Sequence, residues 1–137
     1  MLWARVLADA IVVFHACYVA FVVLGLLVTV VGSFRGWGWV RNFWFRAAHL
    51  AAIGVVVLEE GIGMRCPLTV WEARLRVMGG QEAYRGDFLG EWAHRLIFVD
   101  APPWAFSVAY VLFGVLVLAV FVIAPPRRPG RSTAPRV

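Results

Sequence analysis

Six side chains in this chain have the chemistry to do work: His15, His49, Glu59, Glu60, Cys66 and His94. Two of them, His15 and His49, interrupt long apolar runs, and Glu60 closes the second of those runs. A titratable group placed in hydrocarbon is costly and calls for a partner, a ligand or a task. The two histidines are candidate cofactor ligands, as axial donors to a haem. Glu59, Glu60, Cys66 and His94 are candidate metal ligands and gather toward one end of the chain's apolar segments, with Asp9 and His15 nearby. No pair of them has a ligand spacing such as Cys-x-x-Cys or His-Glu-x-x-His. A structural network in which Arg, Glu, His and Trp satisfy one another is therefore the leading reading.

The second apolar run carries its polar groups on one stripe. Positions 46, 49, 53, 56 and 60 follow a 3,4,3,4 spacing, and eleven residues bring Glu60 back to within about 20° of His49. Arg46, His49 and Glu60 thus share a face that must turn toward protein. His49 and Glu60 stand about 16 Å apart in height, so they cannot touch. His15 lies about halfway through the first run and His49 nearer the opposite face, a mismatch of about 10–13 Å that disfavours one haem held by both within a single chain.

What must position these groups is a set of membrane helices. The chain has 137 residues, is 62% hydrophobic and only 15% charged, and its mean hydropathy is +0.80. So small a soluble core has no room for that much Leu, Val, Phe and Trp, and lipid must serve as their solvent. Three spans are expected at about 7–31, 40–62 and 104–124. The first is longer than a secretion-signal core and lacks a cleavage site, so it is read as a retained span. The second has an apolar core of only Ala47 to Leu58, with His49 inside it and Arg46 and Glu59–Glu60 snorkelling to the two surfaces. The third is charge-free, and Ser107, Tyr110 or Val111, Gly114 and Leu118 form a small-residue strip for helix packing.

Residues 63–100 form the polar loop region. Cys66-Pro67 reads as a helix start, Glu72 and Arg76 as an i,i+4 pair, and Gly79-Gly80 as a stop. Phe88 to Val99 is a second amphipathic segment, lying on the membrane or against the bundle. Tyr84 and Phe88 are expected to dock this loop onto the bundle, and Cys66 to be a small buried group with no base beside it. Cys17 and Cys66 do not make a disulfide framework. Residues 125–137 are an Arg/Pro-rich tail expected to be disordered past Arg128.

The net charge of +5 comes from arginine alone. These arginines flank apolar runs, so they read as topology signals and headgroup contacts rather than nucleic-acid contacts. Arg35, Arg41 and Arg46 share a side with the arginines of the tail, and that side has no acid. The tail is then cytoplasmic, with the N-terminus and residues 63–100 outside.

The order of these elements carries a likeness. His15 in the first span, His49 in the second, Glu59 or Glu60 at its outer end, then Cys66-Pro67-Leu68-Thr69 with Glu72, Leu75-Arg76 and Tyr84-x-Gly86-x-Phe88, resembles a bacterial family of small membrane proteins catalogued as domain of unknown function 2784. The likeness covers about residues 5–122. It implies an integral inner-membrane protein of three or four helices and supplies no reaction. The tail lies outside it, and Glu59-Glu60 is a doublet where the family pattern has one acid.

The expectation is an all-α, small integral membrane helical bundle, residues 1–124, with three transmembrane helices and short amphipathic helices in the outer loop. The leading function is a non-catalytic accessory or scaffold subunit in the bacterial inner membrane, contacting lipid and either other membrane subunits or copies of itself. One rival is a haem- or metal-binding redox protein using His15, His49, Cys66 and His94. A second is an oligomeric transporter component.

Overall fold

A computed structural model describes residues 1–83, 86, 88–98 and 100–130. Among them five α-helices follow one another: α1 Leu2–Phe34, α2 Phe43–Gly61, α3 Pro67–Met78, α4 Phe88–Ile97 and α5 Pro103–Ile123. A short 3-10 turn, Gly38–Arg41, precedes α2. The described residues hold no sheet. An isolated bridge between Asn42 and Arg127, with the Arg127 amide donating to the Arg41 carbonyl at 2.7 Å, ties the start of the tail to the foot of α2. Residues 131–137, where disorder is expected, lie outside the described set.

Helix α1 has 33 residues, a length of about 50 Å, well beyond the roughly 30 Å of a hydrocarbon core. Its buried residues are Ala4, Ala8, His15, Val22, Gly25, Leu26, Thr29 and Gly32. All but Leu26 lie on a heptad seam, 8-15-22-29 and 4-25-32, so one stripe faces protein along the whole helix. Two partners share that stripe in succession. Helix α3 packs along the N-terminal half, and α2 along the C-terminal half. Small residues on the seam let the neighbours come close: a Cβ on Gly25 would stand 2.5 Å from the His49 ring, and one on Gly32 would stand 2.6 Å from Val40.

Helix α2 lies between α1 and α5 and packs on both. It is shorter than the expected second span, because Gly38–Arg41 forms a separate 3-10 turn and the α-helix starts only at Phe43. Asn42 is extended (φ −59°, ψ 128°), and its side chain accepts the Trp44 and Phe45 amides at 2.9 and 3.2 Å, which caps a helix of 19 residues. An apolar run alone does not reveal this start; the cap does. Replacing Asn42 by alanine is expected to cost about 1 kcal/mol, read as a lower unfolding midpoint in detergent.

Helices α2 and α5 run antiparallel, with Arg46 beside Ala124 at one end and Glu60 beside Ser107 at the other. A Cβ on Gly114 would come within 2.6 Å of Val57, so this glycine sets their separation. The face of α5 turned to α2 is centred on Val117, which is 3% exposed, whereas Leu118 is 51% exposed. The expected strip through Leu118 is thus rotated toward Val117. The core joins Val22 and Leu26 of α1, Ile53 of α2 and Val117 of α5. Helices α1 and α5 are long and apolar enough to cross a membrane.

Helix α3 begins as its residues require, with Cys66 as N-cap and Pro67 at the first helical position. It ends at Gly79, followed by Gly80 at φ +70°, a backbone state that glycine adopts without strain.

Candidate functional site

The polar side chains gather at two levels. Toward the C-terminal end of α1, Arg46 is 3% exposed. Its Nη2 donates to the carbonyls of Val120 and Ala124 at 2.9 and 3.0 Å, and its guanidinium lies 5.5 Å from the Phe121 ring. Those carbonyls lie at the C-terminal end of α5: Val120 also accepts the Ala124 amide at 3.0 Å, and Ala124 is the C-cap. One turn further along α2, His49 places Nε2 2.7 Å from the Val22 carbonyl, so that nitrogen carries the proton. Next, the Tyr18 hydroxyl donates to the Ala52 carbonyl at 2.5 Å. Each of these groups pins one helix to the backbone of another.

The second level is a cluster built where α3 crosses the middle of α1. His15 is 7% exposed. Its ring stacks on Phe88 of α4, centroids 4.1 Å apart and planes at 23°. Its Nε2 stands 4.0 Å from Cys66 Sγ, while Nδ1 is buried and has no hydrogen-bond partner. Glu59, at the end of α2, approaches the same thiol. Burial pushes the Cys66 thiol above its ordinary range; the amides of Leu68 and Thr69 pull it down, and the Glu59 carboxylate adds to the rise. The thiol is therefore protonated at neutral pH. The expectation that no base stands beside Cys66 is overturned, because fifty residues of chain fold back and set it against His15.

Beyond the thiol, polar groups flank the contact between α1 and α3, where Ala4 and Ala8 are completely covered. Glu72 is fully buried and accepts from Arg76 Nε at 2.7 Å. Arg76 also reaches Asp9 of α1 at 3.5 Å and Gln81 at 3.3 Å. Arg5 Nε donates to the Gly79 carbonyl at 2.7 Å. Thr69 is buried, and Arg65 donates to the Gly86 carbonyl at 2.8 Å. Tyr84 lies outside the described residues; Phe88 is buried on His15, where it docks α4 onto α1.

The remaining candidates separate. Glu59 and Glu60 have different neighbours: Glu59 faces Cys66, whereas Glu60 accepts a hydrogen bond from Ser107 of α5. His94 is half exposed and pairs with Asp100 at 2.7 Å, so it takes no part in the cluster. Among the described residues no group of three or more His, Cys, Asp or Glu side chains is arranged to hold a metal ion. The expected convergence of Glu59, Glu60, Cys66 and His94 is therefore not formed. His15 and His49 also face different partners, seven residues apart along α1, and do not share a site.

Two of the cavities against these levels bear on the helix contacts. One, about 230 Å³, is apolar and lies between α1, α2 and α5 beneath Leu89 of α4, with Tyr18, Ile53, Phe106 and Phe113 on its walls. The other, about 10 Å³, is bordered by Thr29, Arg46 and His49. The α1 seam itself, with Gly25, Thr29 and Gly32, escapes a reading that looks only for ionisable groups. Its signal is the seven-residue repeat of small and polar residues inside an otherwise uniform apolar run.

No curated protein and no solved structure matches the chain. The family model described as a protein of unknown function, DUF2784, matches residues 5–126. With most of its length inside that match and two helices fit to cross a bilayer, the chain belongs to the DUF2784 family of small bacterial membrane proteins.

Proposed function

We propose that the protein is a non-catalytic accessory subunit of a larger inner-membrane assembly, docking through an arm made of the first turns of α1 and helix α3. In this reading α2 crosses the bilayer together with α1 and α5. The N-terminus and residues 63–100 face outward and the tail is cytoplasmic. The interior polar groups support it: Arg46, His49 and Tyr18 each bond a backbone carbonyl of a neighbouring helix, which is a structural use of polarity.

The observation that carries the docking role is the arm. Counting about 20 residues from Phe34 uses up the hydrocarbon thickness near His15. The turns before it continue for about 18 Å. Their inner face is closed on α3, yet Leu2, Trp3, Val6, Trp71, Val77 and Met78 stay at least 51% exposed. Apolar surface held clear of the hydrocarbon calls for a covering partner.

A nitroxide at Val6, on a Cys17→Ala, Cys66→Ser background, tests this. In native membranes the label is expected to be immobile and shielded from both oxygen and a nickel chelate, and to become mobile on purification. A label that oxygen reaches freely in native membranes means the arm lies in lipid, and the docking role fails.

A further inference from the structure

We propose that Cys66 and His15 form a two-coordinate site for a monovalent soft cation, with Cu(I) as the ion. The inference does not depend on whether the arm docks a partner.

Four observations carry it. His15 is more than nine-tenths buried, and its only polar neighbour within bonding distance among the described residues is a sulfur. Nε2, the nitrogen turned to the thiol, has no oxygen or nitrogen partner, so a soft ion between the two would give it a strong bond, with Nδ1 carrying the ring proton. The ring is held in place by its stack on Phe88, with the Nε2 edge already turned to the thiol. The separation also fits. Sulfur and imidazole ligands of a first-row d10 ion lie at about 2.3 and 2.0 Å, so a linear pair stands about 4.3 Å apart; here it is 4.0 Å.

Charge and ligand number select the ion. One thiolate and one neutral imidazole neutralise a single positive charge, which is the inexpensive arrangement at a buried site. Zinc at a structural site takes four ligands, and the described residues offer no group of three. Thiolate selects Cu(I), and imidazole also suits copper. On binding, the Cys66 S–H bond breaks, a sulfur–copper bond forms, and the proton leaves to the Glu59 carboxylate beside it or to water. No electron is transferred. The bound ion clips the start of α3 to the middle of α1.

The test is an anaerobic titration of the full chain in detergent with Cu(I), held against a chromogenic Cu(I) chelator, on a Cys17→Ala background. One equivalent is expected to bind, with X-ray absorption reporting one sulfur and one nitrogen ligand. His15→Leu retains the thiol and is expected to weaken binding at least about tenfold, the scale on which loss of a supporting group acts. Cys66→Ser, close in size to the native residue, is expected to abolish binding. Circular dichroism confirms the helices of each variant. Binding that ignores His15→Leu, a sulfur-only coordination shell, or tighter uptake of Zn(II) than of Cu(I) in a direct competition overturns the assignment. Failure of the wild-type chain to hold one equivalent does the same.

Discussion

Replacing Gly25 by valine is expected to destabilise the folded chain by about 3–5 kcal/mol. The added Cβ would stand 2.5 Å from His49 Cδ2 and 2.9 Å from Nε2. The ring cannot simply swing aside. Phe21 meets it edge-on at 5.7 Å, Phe45 stacks along it at 6.4 Å, and its Nε2 is bonded to the Val22 carbonyl. Overpacking costs roughly 1–3 kcal/mol. Forcing the imidazole off its carbonyl leaves buried polar atoms unpaired, for about 1–3 kcal/mol more. Equilibrium unfolding in mixed micelles measures the sum, and Gly25→Ala should fall between the two. A loss under 1 kcal/mol would mean that α1 and α2 do not meet at this seam.

The second large effect belongs to Glu72. This carboxylate is fully buried where α3 packs on α1, and it is held by Arg76 at 2.7 Å. Truncating it to alanine empties a buried site and removes the closest partner of Arg76, which keeps Asp9 and Gln81, at a cost of about 2–3 kcal/mol. Glu72→Ala should therefore release α3 from α1. Amide hydrogen exchange is expected to rise across residues 67–78 while α5 stays protected. Asp9 is the control. Its carboxylate is 70% exposed and lies 3.5 Å from Arg76, so Asp9→Ala should shift stability by less than about 1 kcal/mol. Equal effects at Asp9 and Glu72 would contradict the burial that separates them.

Much of the architecture is legible in the chain because bilayers impose simple rules. Charge-free length marks α5, and Pro67 with Gly79-Gly80 brackets α3 within a residue or two. Spacing alone places Arg46, His49 and Ile53 on one face of α2, the face found buried. The disagreement in height between His15 and His49 also follows from counting residues at 1.5 Å each.

What escapes is contact between segments distant in sequence. Cys66 meets His15 across fifty-one positions, and Arg46 meets Ala124 across seventy-eight. No local pattern encodes either. Glu59 and Glu60 look equivalent as a doublet, yet successive helical residues point about 100° apart, so one turns to α3 and the other to α5. The N-terminal end of α1 escapes for a different reason. Hydropathy reports only that residues 2–14 are apolar apart from Arg5 and Asp9, whereas their use as a platform for α3 lies in Ala4 and Ala8, two small side chains that are completely covered.

The whole account rests on α2 crossing the membrane between α1 and α5 although it carries Arg46, Glu59 and Glu60. Three crossings put the two chain ends on opposite faces, and two crossings put them on the same face. Single cysteines at Leu2, Gly38, Glu82 and Gly130, in a Cys17→Ala, Cys66→Ser background, can be probed in intact spheroplasts with a membrane-impermeant maleimide. Leu2→Cys and Glu82→Cys should label at once, and Gly38→Cys and Gly130→Cys only after permeabilisation. Labelling of Leu2→Cys and Gly130→Cys from the same side would contradict it.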